Sequence, residues 1–464
     1  MLSTKTEKIT YPNLYKRSCY IIDILSIKQN YNFKVSITGR VTSIRTMGKA
    51  TFIDVRDSTA NIQIYYSVKT IPKNLFKNLN KLVPGTIIWC RGTLFKTKSE
   101  VLSIKLYYYS ILVFPELSLP DLWYGIKDTY KRYTHRYLDL FLNNISRNVI
   151  LKRIIIIQHI RLFLTKRKYY EVETPTLHQI AGGAIAKPFM TYSNIFKKNY
   201  YLRIAPELFL KKLVIAGFEK IFEIGKNFRN EGVSYKHNFE FTSVELYEAY
   251  ANYKDYIVLV EKLIKSIVYK LHTKKNNIKH KTYFLNFNNA FLKITYIKSL
   301  IIYTENFFNS KTIYDKDLLE EYIHKNNIQT PQSSNIDELH NIIFEKIVVP
   351  HIVQPTFIID SPACYAPLAK KHKNSSNVER FELYIAGIEI ADGFSELNDV
   401  STQESNFINQ GKDNKEQHSF DTTYIQAMKY GLAPTAGVGI GIDRLAMVLL
   451  DCKTINEVLP FPAI

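Results

Sequence analysis

Glycine occupies every second position in "GVGIGIDR", at Gly437, Gly439 and Gly441. Alternate residues of an extended strand share a face, so one face here is bare and a flat ligand can approach the backbone. The apolar run "LAMVLL" that follows reads as a helix, which places Asp443 and Arg444 at the turn from strand to helix. An arginine at that turn can reach a terminal phosphate, although close packing of strand on helix would use the same glycines. The pattern is neither a GxGxxG turn nor a phosphate-binding loop, since no GK[ST] follows.

A second segment crowds charge and aromatic rings together: "FRNEGVSYKHNFEFTSVELYEAY", residues 228–250. "FEFTSVEL" alternates with period two, which predicts a strand with polar side chains on one face and Phe239, Phe241, Val244 and Leu246 on the other. Two strands joined by a loop would bring Arg229, His237 and Phe241 to one face. Arginine offers a permanently charged fork for phosphate or carboxylate, and Phe241 offers a flat surface for a base. A salt-bridged hairpin with no ligand would use the same residues. Glu382 and Glu389 flank a turn expected at Gly387. Two carboxylates converging beside nucleotide phosphates would suit Mg²⁺, which takes oxygen ligands.

The chain of 464 residues is long enough for two or three domains. Residues 33–113 read as five short β-branched and aromatic strands, with Phe52, Gln63 and Arg40 among basic loops. Their spacing fits a small barrel of the oligonucleotide-binding kind or an SH3-like one. A linker with two prolines, "FPELSLPDLWYG", leads to a long amphipathic helix and then to "YYEVETP", a strand that Pro175 ends. Residues 296–350 read as a helical insertion. No stretch of eighteen apolar residues occurs, and the N-terminus lacks the apolar core of a signal peptide. The four cysteines show no metal or disulfide spacing. These features read as a soluble, cytoplasmic protein with no membrane partner. The formal charge of +20 favours a polyanionic partner, although heavy use of Lys, Asn, Ile and Tyr, all served by AT-rich codons, explains part of it.

In this order, the segments resemble the motifs of the class II aminoacyl-tRNA synthetases, specifically the bacterial-type lysyl-tRNA synthetases. The resemblance runs from about residue 33 to the C-terminus. Motif 1 resembles helix 148–168 plus "YYEVETPTL"; motif 2 is the 228–250 segment; motif 3 is "GVGIGIDR". "TPTLHQIAGGAIAKPF", "YLRIAPELFLKKLVIAGFEKIFEIGKNFRNEG" and "GFSELND" mark the lysyl group. The resemblance implies an α+β fold: an antiparallel sheet with flanking helices behind an all-β OB barrel that reads the anticodon. The expected domains are the barrel at 1–115, a linker at 116–136 and the catalytic domain at 137–464.

The same resemblance implies the roles. Arg229 and Arg444 would be catalytic. Arg229, Asn230, Glu231, His237, Asn238, Phe241, Glu382, Leu383, Gly441, Asp443 and Arg444 would bind ATP, with Glu382 and Glu389 holding Mg²⁺. Gly183, Glu207, Arg229, Glu245, Tyr247, Asp392 and Glu396 would bind L-lysine, the last two glutamates and the tyrosine lining the ε-ammonium pocket. Phe52 and Gln63 would contact the anticodon of tRNA(Lys), and motif 1 would form a homodimer. The chain departs from the family's pattern in two places: Asp392 stands in "ADGFSELND" where the family has Asn, and Val101 stands where it often has an acidic residue. Aspartyl- and asparaginyl-tRNA synthetases share the architecture, but Tyr247 and Glu396 argue for lysine.

Overall fold

The computed structural model describes residues 11–463 except 28–31, 49, 70, 72–75, 77–78, 80–81, 118, 121–124, 185, 273–276, 332–333 and 414–420. Part of the Pro-marked linker therefore lies outside the described residues. The chain forms two compact units, Met1–Arg132 and Tyr133–Ile464.

The first unit is a closed five-stranded barrel. Its strands are Lys34–Met47, Ala50–Arg56, Asn61–Ser67, Ile87–Lys96 and Leu102–Val113. Closure comes from the third strand pairing parallel with the fifth and the first pairing antiparallel with the fourth. Period-two patterning sends Ile53, Val55, Ile62, Ile64, Ile88 and Leu94 inward. Phe52 and Gln63 fall on the opposite parity and so face outward. Phe52 packs on Tyr65, and Tyr65 on Phe95, with ring centroids 5.3 and 5.7 Å apart. Arg40, Phe52 and Gln63 thus stand on strands, not among loops as the sequence suggests.

An eight-stranded, mostly antiparallel sheet forms the second unit. At its centre Thr435–Gly441 lies between Glu240–Ala249 and Ile388–Ser395. Val244, Leu246, Val438, Ile440 and Ile390 point to one side, into a core covered by helices Asn144–Thr165, Tyr253–Leu271 and Ile442–Leu449. Helices also fill Tyr296–Tyr303, Lys316–Lys325 and Ile336–Ile343.

Three local expectations change. The motif 1 helix begins at Asn144 because the Asn143 side chain accepts from the amides of Ile145 and Ser146, closing its first turn. The strand expected to run to Pro175 pairs only over Tyr170–Glu171, at the sheet edge. Phe241 shares a face with Glu245 and not with Val244, since odd and even residues of the strand part company.

A buried ion pair ties helix to sheet. Arg153 donates to Asp443 Oδ1 at 2.7 and 3.1 Å and to Thr242 Oγ1 at 3.1 Å, while Asp443 Oδ2 accepts from the Thr242 amide at 2.8 Å. Removing one member of such a pair strands the other charge. Arg153→Met is expected to lower unfolding free energy by about 3–5 kcal/mol, read from the urea midpoint at unchanged slope.

Candidate active site

The face of the sheet opposite the core helices opens on a cavity of about 600 Å³. Its floor is set by register. Tyr247 stands opposite Gly437, Glu245 opposite Gly439 and Ser243 opposite Gly441. On the other flank Phe394 and Asp392 stand opposite Gly437 and Gly439. The glycine strand therefore leaves room between two strands that carry side chains. A Cβ at Gly437 would come within 2.3 Å of Glu396 Oε1 and 2.4 Å of the Tyr247 ring. At Gly439 and Gly441 the nearest atoms would be 3.7 and 3.8 Å away, so those two open onto the cavity.

Gly183, Glu207, Arg229, Glu231, His237, Asn238, Phe241, Glu245, Tyr247, Glu389, Asp392, Glu396, Gly441, Asp443 and Arg444 all line this one cavity. Asn230 is exposed and hands its amide to the Lys187 carbonyl at 2.7 Å. Leu383 is packed in the core, so only its backbone is left to meet a ligand. Asp443 reaches the cavity but both its oxygens are engaged by Arg153 and Thr242, which makes it an anchor. Glu382 sits beside the cavity, held by Arg380 at 2.6 Å.

One group of charges is made of carboxylates. Glu207, Glu245 and Glu396 are buried together. Burial, with Glu207 beside it, pushes Glu245 up to about 8. Burial likewise pushes Glu396 up to about 8 against the pull of Lys211. Tyr247 Oη donates to Glu245 at 3.3 Å. Lys211 Nζ contacts Glu396 as an ion pair, yet neither Glu396 oxygen accepts a directed hydrogen bond from any described residue.

The other group is cationic. Arg229 makes no salt bridge to a described residue; its Nε is buried without a partner and its guanidinium lies 5.1 Å from the Phe241 ring centroid. Arg444 donates to Glu389 Oε2 at 3.1 Å and to the Glu389 carbonyl at 3.2 Å. Burial pushes Glu389 up, but Arg444 and then Arg380 outweigh it and hold the carboxyl below its usual range. Burial, then Arg444 and Lys236, lower His237, whose Nδ1 meets Ser234 Oγ at 2.8 Å.

The Glu382–Glu389 hairpin turns through Ala386 and Gly387, both with positive φ, the geometry of a tight two-residue turn. Burial, then repulsion from Asp392, Glu389 and Glu345, push Glu382 up to about 8 against the pull of Arg380. That crowd of oxygen donors fits a hard divalent cation, which would relieve its excess negative charge. Among the described residues no three His, Cys, Asp or Glu form a set that could hold a metal by themselves.

The sequence did not single out Lys211, Arg380 or Arg203 as site residues. Lys211 could have been found from its place four residues after Glu207, one turn along a helix. Arg380 stands two before Glu382, on the same strand face. Arg203 gave no such local sign; it reaches Glu223, the Lys226 carbonyl and Thr174 from a loop.

Residues 128–464 match the family model for class II tRNA synthetases (D, K and N), and residues 35–112 match that for an OB-fold nucleic acid binding domain. The chain belongs to the class II aminoacyl-tRNA synthetases. It is 42% identical to a lysine–tRNA ligase of Buchnera aphidicola (from Schizaphis graminum), over all of this chain and 95% of the relative. It is likewise 42% identical to one from Wigglesworthia glossinidia brevipalpis, over 99% and 95%, and 38% identical to one from Coxiella burnetii, over 99% and 94%. Within the class it is one of the bacterial-type lysyl-tRNA synthetases. No helix among the described residues is long and apolar enough to cross a membrane.

The close approach at Gly437 makes a test of the cavity. Gly437→Ala would push Tyr247 and Glu396 aside, and overpacking of this sort costs roughly 1–3 kcal/mol. The KM for lysine is expected to rise by about 5- to 150-fold in pyrophosphate exchange, with the KM for ATP little changed.

Proposed function

We propose that this cavity carries out lysine activation, with the carboxylate group taking the amino acid and the cationic group taking ATP. The chain is a lysine–tRNA ligase: it activates lysine with ATP to lysyl-adenylate and transfers lysine to tRNA. The observation that carries the assignment is the pairing of an unpartnered arginine with a nest of buried carboxylates in one cavity. An amino acid with a second ammonium supplies what each lacks.

Glu207 and the Gly183 backbone take the α-ammonium. Glu396 takes the ε-ammonium, Tyr247 fixes its direction and Glu245 supports them. Arg229 holds the lysine carboxylate and the α-phosphate together, which brings nucleophile and electrophile into line. Phe241 stacks on adenine; Glu231, Asn238 and the backbone at Asn230, Leu383 and Gly441 complete the nucleotide pocket, with Asp443 fixing the strand end beneath it. His237 and Arg444 face the β- and γ-phosphates. The lysine carboxylate attacks the α-phosphorus and pyrophosphate leaves; the terminal ribose hydroxyl of tRNA then attacks the adenylate carbonyl and AMP leaves. Arg229 and Arg444 neutralise phosphate charge as it develops, so no side chain need act as general base. Glu382 and Glu389 would hold Mg²⁺, which would supply positive charge against the phosphates.

On the barrel, Phe52 and Gln63 would read the anticodon of tRNA(Lys), which the outward-facing, half-buried Phe52–Tyr65–Phe95 ring cluster supports through base stacking. Exposed Ile145, Leu151, Ile154 and Leu162 on the motif 1 helix support a homodimer. Activity in the cytoplasm follows from this role.

Arg229→Ala should reduce lysine-dependent pyrophosphate exchange by about 10²–10³-fold or more while the folded state persists; near-normal exchange would refute the assignment. Glu396→Gln keeps shape and removes charge. It should cost lysine at least about 3 kcal/mol in kcat/KM, and cost norleucine, which has no ammonium, far less. An unchanged lysine-to-norleucine ratio would move the ε-ammonium elsewhere.

A further inference from the structure

Helix Glu207–Ile215 carries two opposite charges one turn apart, Glu207 on the cavity wall and Lys211 buried behind it. Lys211 has no exposed surface, and its Nζ donates to Glu207 Oε1 at 2.6 Å while contacting Glu396 Oε2. It therefore spans the two carboxylates that the proposed reading gives to opposite ends of the substrate. Burial alone would make it shed its proton, but Glu207 and then Glu396 hold it charged. The aromatic ring of Phe394, its centroid 5.4 Å from Nζ, closes another side.

The other cations near it are already engaged. Arg203 pairs with Glu223, and Arg380 with Asp392 and Glu382. That leaves Lys211 as the cation in contact with Glu207 and Glu396, while Glu245, buried beside Glu207, feels Arg203 without a salt bridge to it among the described residues. Lysine brings two ammonium groups to this nest, and its carboxylate goes to Arg229. Three carboxylates then face three cations, so with lysine bound the nest is balanced in its ionised form, without the protons that burial otherwise favours on Glu245 and Glu396.

We propose that Lys211 is a specificity-determining positioning residue: a built-in third ammonium that leaves the buried pocket short of two positive charges, the number lysine carries. The inference rests on the lysine reading of the cavity. An amino acid with one ammonium leaves one carboxylate uncompensated, and a buried unpaired charge is costly. Lys211 touches no reacting atom. Its effect is the same before and during the chemical step, so it acts on binding of lysine and not on turnover.

The test is pyrophosphate exchange by the full chain, with lysine and ATP varied separately. Lys211→Met keeps the length and removes the charge, leaving three carboxylates for two ammoniums. The lysine KM should rise about tenfold or more, with kcat and the ATP KM within about twofold. Glu245→Gln alone leaves two carboxylates for three cations and should also raise the lysine KM. The double variant restores two against two, and its lysine KM should fall below that of either single variant. A merely structural role for Lys211 would lower kcat and raise both KM values, and the second change would add to the damage. That result, or an unchanged lysine KM in Lys211→Met, overturns the proposal. If Lys211→Met fails to fold, the double variant is read by itself: a lysine KM below that of Glu245→Gln supports charge balance, and a higher KM or a failure to fold overturns it. Wild-type enzyme without lysine-dependent exchange would instead overturn the lysine reading of the cavity.

Discussion

The strand Thr435–Gly441 joins stability to chemistry because its two faces do unlike work. Val438 and Ile440 close the core against three helices. Between them the glycines leave space into which Tyr247 and Glu396 lean, and a floor at Gly439 and Gly441. Glu245 and Asp392 stand on opposite flanks of the same glycine. Any side chain at Gly437 would separate groups that must converge. A slip of one residue in register would send Val438 and Ile440 into the cavity and empty the core.

Given that scaffold, charge balance decides how the cavity behaves. Buried carboxylates are costly unless paired, and the protein pairs some of them fully and others only in part. Glu223 has Arg203, and Asp443 has Arg153. Glu207 and Glu396 share Lys211, and neither Glu245 nor Arg229 has a salt-bridge partner among the described residues. Complete pairing would give a more stable and inert protein. On the proposed reading each deficit corresponds to a charge on lysine or on a phosphate, and ligand binding supplies the missing partners.

Much of this was legible in the sequence, for physical reasons that differ by element. Period two in "FEFTSVEL" and alternate glycines in "GVGIGIDR" report strand faces directly, and the matched motifs carried the residue roles. What escaped was of several kinds. Asn143 caps the motif 1 helix through its own side chain, so the helix began earlier than its apolar run. The stretch before Pro175 looked like a full strand, but strand length is set by available partners, and here only Ile221 and Phe222 pair with it. Phe241 was placed with the apolar residues on chemical grounds, whereas its parity puts it over the cavity beside Glu245. Lys211 and Arg380 each lay within four residues of an identified carboxylate. Attention to charge neighbours on the same face, and not only to motif letters, would have found both.

Asp392 shows why such neighbours matter. A carboxylate where the family has an amide looks repulsive toward the carboxylate of lysine. Its direct cross-strand partner is Glu382, so two like charges face each other, an arrangement that destabilises a sheet unless a cation intervenes. Arg380 is that cation. It donates to both oxygens of Asp392, at 2.8 and 2.7 Å, and to Glu382 at 2.6 Å. With Glu382 pushed toward its neutral form by burial and like charges, one guanidinium largely offsets one carboxylate. An amide at this position would leave Arg380 with Glu382 as its one carboxylate partner on the hairpin. With Asp392 present, Arg380 is anchored on both strands of the hairpin. The substitution therefore shifts the site's charge balance by a group whose counterion is already in place, and on the proposed reading lysine's carboxylate meets a salt bridge instead of a bare charge.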